Sequence, residues 1–194
     1  MKKKIILAST SRYRAELLGR LQLTFDTVRP DADETPLAGE TPAATALRLA
    51  VLKAHSVASR FPETLIIGSD QVADLGGSQI GKPGTRERAS AQLRSMRGQT
   101  LVFHTALALL DATSGRVQSR IVPTIVKFRI YSDAEIETYL DRESALDCAG
   151  SAKSEGLGAA LIASMASDDP TALIGLPLLA LVDMLAAEGV KVLA

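Results

Sequence analysis

Residues 5–18 read Ile5-Ile6-Leu7-Ala8-Ser9-Thr10-Ser11-Arg12-Tyr13-Arg14-Ala15-Glu16-Leu17-Leu18. A short apolar run ends in a hydroxyl-rich turn, and a helical pattern follows at once. That order predicts a strand, a turn and a helix whose first N–H groups point at whatever lies beyond the strand. Those N–H groups lack intrahelical partners and carry a partial positive charge, so the junction suits an anion. Ser9, Thr10 and Ser11 can donate to phosphate oxygens or cap the helix, and Arg14 can grip a phosphate or carboxylate with its planar fork. An ordinary β-turn-α junction with a serine cap and solvated arginines fits the same residues.

Outward from this junction, apolar strand-like runs alternate with helical patterns, which argues for an α/β fold with a mixed twisted sheet and flanking helices. A helix is expected over 11–23. Thr41-Pro42 signals a helix start, with the helix continuing to about Arg60. Leu65-Ile66-Ile67-Gly68 reads as a short buried strand that delivers Ser69-Asp70-Gln71 at its end. A surface helix over 85–96 follows, then two long strands over 101–110 and 117–130 joined at Thr113-Ser114-Gly115. Ser132-Asp133-Ala134-Glu135 is a capping box, and a last helix over 176–188 stops at Gly189. No repeat or long linker divides the chain. It is expected to be one domain over 1–194, with a helix–strand core from both termini and a long-stranded middle portion packed on it.

The 194 residues are 46% hydrophobic, enough for a substantial core. Twenty-two basic residues balance 22 acidic ones. This balance removes any general electrostatic case for binding nucleic acid or an anionic membrane surface. The lone Cys148 cannot form an internal disulfide, which fits a reducing cytoplasm. Lys2, Lys3 and Lys4 precede an apolar run too short for a secretion signal, and no stretch approaches the ~20 apolar residues of a membrane span.

Several further residue groups carry chemistry. Asp31, Asp33 and Glu34 crowd a proline-containing loop, where carboxylates can hold a hard divalent cation or simply stay solvated. Asp70 is expected to emerge where its strand ends, a usual place for ligands in open α/β sheets. There it can orient a water for attack on phosphorus or cap the next turn. Gly76-Gly77-Ser78-Gln79-Ile80-Gly81-Lys82-Pro83 nearly matches the P-loop, but Pro83 stands where a Mg²⁺-binding hydroxyl is needed and offers no N–H. The ATPase reading is rejected, while Lys82 remains a phosphate ligand. Lys53, on its helix, reads in isolation as part of a solvated face. Small residues over 149–158 allow close approach to the backbone, with Glu155 their only acid.

In order along the chain, Leu7-Ala8-Ser9-Thr10-Ser11 with Arg14, Asp33-Glu34-Thr35, Lys53-Ala54, Gly68-Ser69-Asp70-Gln71, Gly81-Lys82-Pro83, Gly150-Ser151 and Gly175-Leu176-Pro177 resemble the Maf family of nucleoside triphosphate pyrophosphatases. The resemblance implies a Maf/ITPase-like fold, with two lobes around a central cleft, and hydrolysis of a nucleoside triphosphate to its monophosphate and pyrophosphate with Mg²⁺ or Mn²⁺. It implies that Asp70 accepts the proton of the attacking water and that Ser9, Arg14, Lys53 and Lys82 hold the triphosphate. It further implies that Glu34 and Asp70 serve the metal, and it favours a homodimer.

Two departures point to the base, with Gln71 beside them. Tyr13 stands where an arginine is commoner and Glu155 where glutamine is commoner, a combination similar to the subfamily that hydrolyses 7-methyl-GTP. N7-methylguanine is cationic, so it gains from an aromatic face and from a carboxylate that accepts its N1–H and amine protons. Arg12, where proline is usual, adds a donor to the turn. A dTTP/UTP pyrophosphatase of the same family and a nucleotide-binding regulator of septum formation are the competing expectations.

Overall fold

The computed structural model describes residues 3–193. Its elements, in chain order, are β1 (Lys4–Ala8), α1 (Arg12–Gly19), β2 (Phe25–Val28), α2 (Pro42–Ala58), β3 (Thr64–Leu75), β4 (Ser78–Ile80), α3 (Arg86–Met96), β5 (Thr100–Asp111), β6 (Arg116–Phe128), α4 (Asp133–Arg142), β7 (Ile162–Ser167) and α5 (Leu178–Ala187). The strands form one mixed sheet in the order β2-β1-β3-β5-β6-β7, with β4 paired to β3. β1 runs parallel to both β2 and β3, which the helical crossovers α1 and α2 make possible. β4 and β7 pair antiparallel with β3 and β6. Among the described residues, no helix is long and apolar enough to cross a membrane.

The chain divides into two compact units, residues 1–70, 105–122 and 169–194 in the first and 71–104 with 123–168 in the second. In the first, strand alternation sorts the core. Ile5, Leu7, Leu65, Ile67, Leu107 and Leu109 pack with Leu17 and Leu18 of α1 and Leu181 and Leu185 of α5. The opposite face of β3 meets α2. In the second unit, Glu137 of α4 accepts from Ser90 and Arg86 of α3, and the Tyr131 hydroxyl donates to the Leu93 carbonyl.

Two sequence expectations change. The first helix ends at Gly19 rather than near Leu23. Residues 20–22 close i→i+3 hydrogen bonds, and Gln22 takes a left-handed φ of 54° to turn the chain into β2. The strand expected to stop at Gly68 runs on to Leu75, 12 residues in all from Thr64. Asp70 therefore sits inside a strand, not beyond its end. Gly, Ser and Asp are poor strand formers, and their presence here answers to packing and hydrogen bonding instead. The glycine-rich stretch is a hairpin: Gly76 and Gly77, at φ 59° and 91°, make the two-residue turn between β3 and β4.

Candidate functional site

At the opening junction β1 delivers Ser9, which is buried and accepts the Ser11 N–H at 3.1 Å. Ser11 is the helix cap, its Oγ accepting from the Arg14 N–H. Arg14, one turn into α1, donates Nε to the Gly175 carbonyl at 2.8 Å. Desolvation pushes its guanidinium pKa down, against the opposing pull of Asp70 and Glu34. The Ser69 hydroxyl also lies 2.8 Å from the Gly175 carbonyl and 2.8 Å from that of Ala106. Gly175 holds φ 117°, a conformation suited to glycine, and a Cβ there would lie 3.4 Å from Arg14 Nε. Behind it, Asp169 accepts from the Thr171 and Leu179 N–H groups, and Thr171 Oγ1 takes the Leu178 N–H. These bonds fix the loop that aims the carbonyl.

Lys53 departs furthest from its sequence reading. It is only 5% exposed, and its ammonium sits 2.6 Å from Asp70 Oδ1 and 2.8 Å from Glu34 Oε1. The cause is Gly68. A Cβ on Gly68 would lie 2.1 Å from the Ala50 carbonyl oxygen and 2.8 Å from the Ala54 nitrogen. Only a residue without a side chain lets α2 lie this close to β3, and Asp70, two residues on, shares the strand face that meets α2.

The Glu34 loop has its own anchor. Asp33 Oδ1 accepts the Thr35 N–H, and Arg48 donates to the Thr35 carbonyl at 3.1 Å. The same guanidinium makes a two-pronged bond to Glu40, at 2.7 and 2.8 Å. This fork draws the Glu40 carboxyl down to about 2.

Tyr13 carries Arg12 over its ring, 4.8 Å from guanidinium carbon to centroid, with Arg12 Nη2 donating to the phenol oxygen. One aromatic face thus already bears a positive charge. In the second unit Gln71 is half-buried on β3, Lys82 is exposed after β4, and Glu155 is exposed with Ser154 Oγ 3.3 Å from its carboxylate. The structure therefore brings Arg14, Lys53, Asp70 and Glu34 into one electrostatic cluster in the first unit. Gln71, Lys82 and Glu155 belong to the second.

The family description Maf-like protein matches residues 4–188. The chain belongs to the Maf family. Its relatives include a protein of Thiobacillus denitrificans named 7-methyl-GTP pyrophosphatase, 61% identical over 97% of this chain and 94% of that protein. A second, from Aromatoleum aromaticum and of the same name, is 60% identical over 96% of each. Among solved structures, the Staphylococcus aureus Ham1 protein aligns with TM-score 0.47 and 14% identity over 65% of this chain and 72% of that one.

For this Maf protein, the donor set bears on a divalent cation. Glu34 and Asp70 converge on one positively charged atom, Lys53 Nζ, and Glu34 is 58% exposed on its side chain. Among the described residues, no cluster of three or more His, Cys, Asp or Glu side chains forms a closed metal cage. Two carboxylates with one open to solvent fit Mg²⁺ chemistry, in which substrate phosphates and waters complete the shell.

Several residues escaped sequence reasoning: Arg48 and Glu40, which hold the Glu34 loop; Asp169 and Thr171, which build the Gly175 loop; and Lys153, buried against Glu143 at 3.3 Å. Arg48 carried a local signal, since an acid eight residues before it lies just ahead of a capped helix. Asp169, Thr171 and Lys153 make these bonds to partners two to ten residues away, but they are loop contacts that no helix or strand periodicity marks, and they carried none.

Proposed function

We propose that this Maf protein hydrolyses 7-methyl-GTP to 7-methyl-GMP and pyrophosphate, by water attack on phosphorus and breakage of the α–β phosphoanhydride bond. The observation that carries the reading is the buried Lys53–Asp70 pair with Glu34 on its open side, in a chain whose relatives at about 60% identity bear that substrate's name. In this reading the Asp70 carboxylate takes the water's proton, and Lys53 orients that carboxylate while its ammonium faces phosphate charge. Ser9, Arg14 and Lys82 hold the remaining phosphate oxygens. Phosphoryl transfer needs little more than such positioning and charge neutralisation.

A divalent cation, Mg²⁺ or Mn²⁺, held by Glu34 and Asp70 would supply further neutralisation of the triphosphate. Tyr13, Gln71 and Glu155 choose the base: the carboxylate accepts guanine N–H protons and offsets the N7-methyl charge. The nucleoside triphosphate is the partner the reading requires. The resemblance supports a homodimer, and the lone Cys148 supports a cytoplasmic setting.

Pyrophosphate release from 7-methyl-GTP, GTP, UTP and dTTP, each with Mg²⁺ and with Mn²⁺, tests the reading. The expected result is a kcat/KM for 7-methyl-GTP about tenfold or more above the others, the scale of one charge-assisted contact. Equal values would overturn the substrate. A preference for UTP and dTTP would make it the pyrimidine enzyme of the family, and binding without hydrolysis would make it a nucleotide-binding regulator.

A further inference from the structure

Glu155 occupies the third position of a tight turn closed by the Gly156 N–H donating to the Lys153 carbonyl at 3.1 Å. Both sides of that turn are tied to the end of α4. On the near side, the Lys153 N–H donates to the Tyr139 hydroxyl at 3.1 Å, and Lys153 Nζ bonds Glu143 Oε1 at 3.3 Å. On the far side, the Leu157 N–H donates to Glu143 Oε2 at 3.1 Å. One carboxylate thus spans the turn, an oxygen on each flank of Glu155. Glu143 is itself fixed, its N–H donating to the Tyr139 carbonyl.

Neither flank has slack. Lys153 is 8% exposed and Tyr139 3%. A Cβ at Gly158 would lie 2.5 Å from the Lys153 carbonyl oxygen, and one at Gly156 would lie 2.5 Å from Glu143 Oε2. Burial pushes the Tyr139 phenol up to about 12, so it stays a neutral hydrogen-bonding group. An exposed side chain on an unrestrained loop spends little time in one direction, whereas one on a turn held at both flanks is pre-organised.

We propose that Tyr139, Lys153 and Glu143 form a staple that sets the direction of the Glu155 carboxylate, which makes them positioning residues for the choice of base. The inference rests on the base-reading role of Glu155 given above and extends it to three residues that act through that carboxylate. Its signature is non-additivity: a staple acting through Glu155 has nothing left to position once that carboxylate is gone.

The test is a double-mutant cycle on the full chain. Tyr139→Phe and Glu143→Gln are each made alone and with Glu155→Gln, and kcat and KM are measured for 7-methyl-GTP and GTP. Each staple variant alone is expected to lower the 7-methyl-GTP/GTP ratio of kcat/KM about fivefold, mainly through KM for 7-methyl-GTP, with kcat on GTP within about twofold. In the Glu155→Gln background the ratio is expected not to fall further. The same drop in both backgrounds, or equal losses on both nucleotides, would overturn the staple's role. Tyr139→Phe keeps the ring and loses one hydroxyl, so it carries the test if Glu143→Gln does not fold. A wild-type chain with no preference for 7-methyl-GTP would overturn the proposed substrate and this inference with it. A wild type with the preference and staple variants that retain it would overturn the inference alone.

Discussion

Replacing Gly68 with alanine adds one methyl group at the point where α2 lies against β3. The new carbon would stand 2.1 Å from the Ala50 oxygen and 2.8 Å from the Ala54 nitrogen. Comfortable non-bonded separations are about 3.5 Å, so helix and strand must part by roughly 1 Å. Both obstructing atoms are backbone, and no rotamer change relieves them. Overpacking of this kind costs about 1–3 kcal/mol, or a fall in Tm of about 2–12 °C for a chain of this size. The larger effect is on turnover. Lys53 rides on α2 one residue before Ala54, and its 2.6 Å bond to Asp70 cannot survive that separation intact. A displacement of about 1 Å in a catalytic pair costs on the order of 10²-fold in rate. Thermal unfolding by circular dichroism and pyrophosphate release read the two effects separately. Gly19→Ala is the control: Gly19 ends α1 with nothing within 4 Å of an added Cβ, and the change should stabilise by about 0.5–1 kcal/mol. A Gly68→Ala protein with unchanged Tm and kcat would refute the reasoning.

Asp70→Asn keeps the shape of the side chain and removes the proposed proton acceptor. The kcat is expected to fall about 10²–10⁴-fold, and because Glu34 still pairs with Lys53, loss of the buried carboxylate should cost only about 1–3 kcal/mol in unfolding experiments. Full activity in this variant would remove Asp70 from the mechanism. Asp111 gives a pH signature away from the site. Hydrogen bonds from the Lys3 ammonium and the Ser114 hydroxyl hold its carboxyl down at about 2, against an unfolded value of 3.8. A depressed carboxyl stabilises the fold fully above its unfolded pKa, and the contribution is lost as pH falls from about 4 through 2. Wild type should therefore unfold at higher temperature than Asp111→Asn at pH 6, with the gap narrowing as pH approaches 2. A gap independent of pH would show that the Lys3–Asp111 pair contributes nothing.

Features whose causes lie within a few residues were legible from the chain. Thr41 caps α2 with Pro42 in its first turn, and Ser132 and Glu135 exchange both bonds of the capping box. The parallel β1 and β3 followed from apolar runs buried on both faces. β2 and β7 gave no such signal, because they are edge strands with mostly exposed, polar or small residues. Lys53 was misjudged because the periodicity of α2 says nothing about a carboxylate 17 residues away, and still less about the glycine that admits it. Asp70 stands out by its residue type and its strand, but only the hairpin turn, which pairs Ala73–Leu75 with β4, foreshadows that the strand runs on past it. In the second unit, Glu155 stood out as the lone acid of a small-residue stretch. The residues that grip its turn, Tyr139 in α4 with Glu143 and Lys153 beyond its end, carry no pattern of their own.

The Gly175 carbonyl bonds Arg14 across 161 residues of chain and Ser69 across 106. Consequently, Arg14, the arginine proposed to grip phosphate, is made first and oriented last. A nascent chain still short of residue 175 has α1 and β3 in hand but no acceptor for Arg14 Nε, so the oldest part of the site waits for nearly the newest. Contacts of such separation close late and slowly in folding. Catalytic competence thus arrives with the C-terminal segment rather than accruing as the sheet assembles.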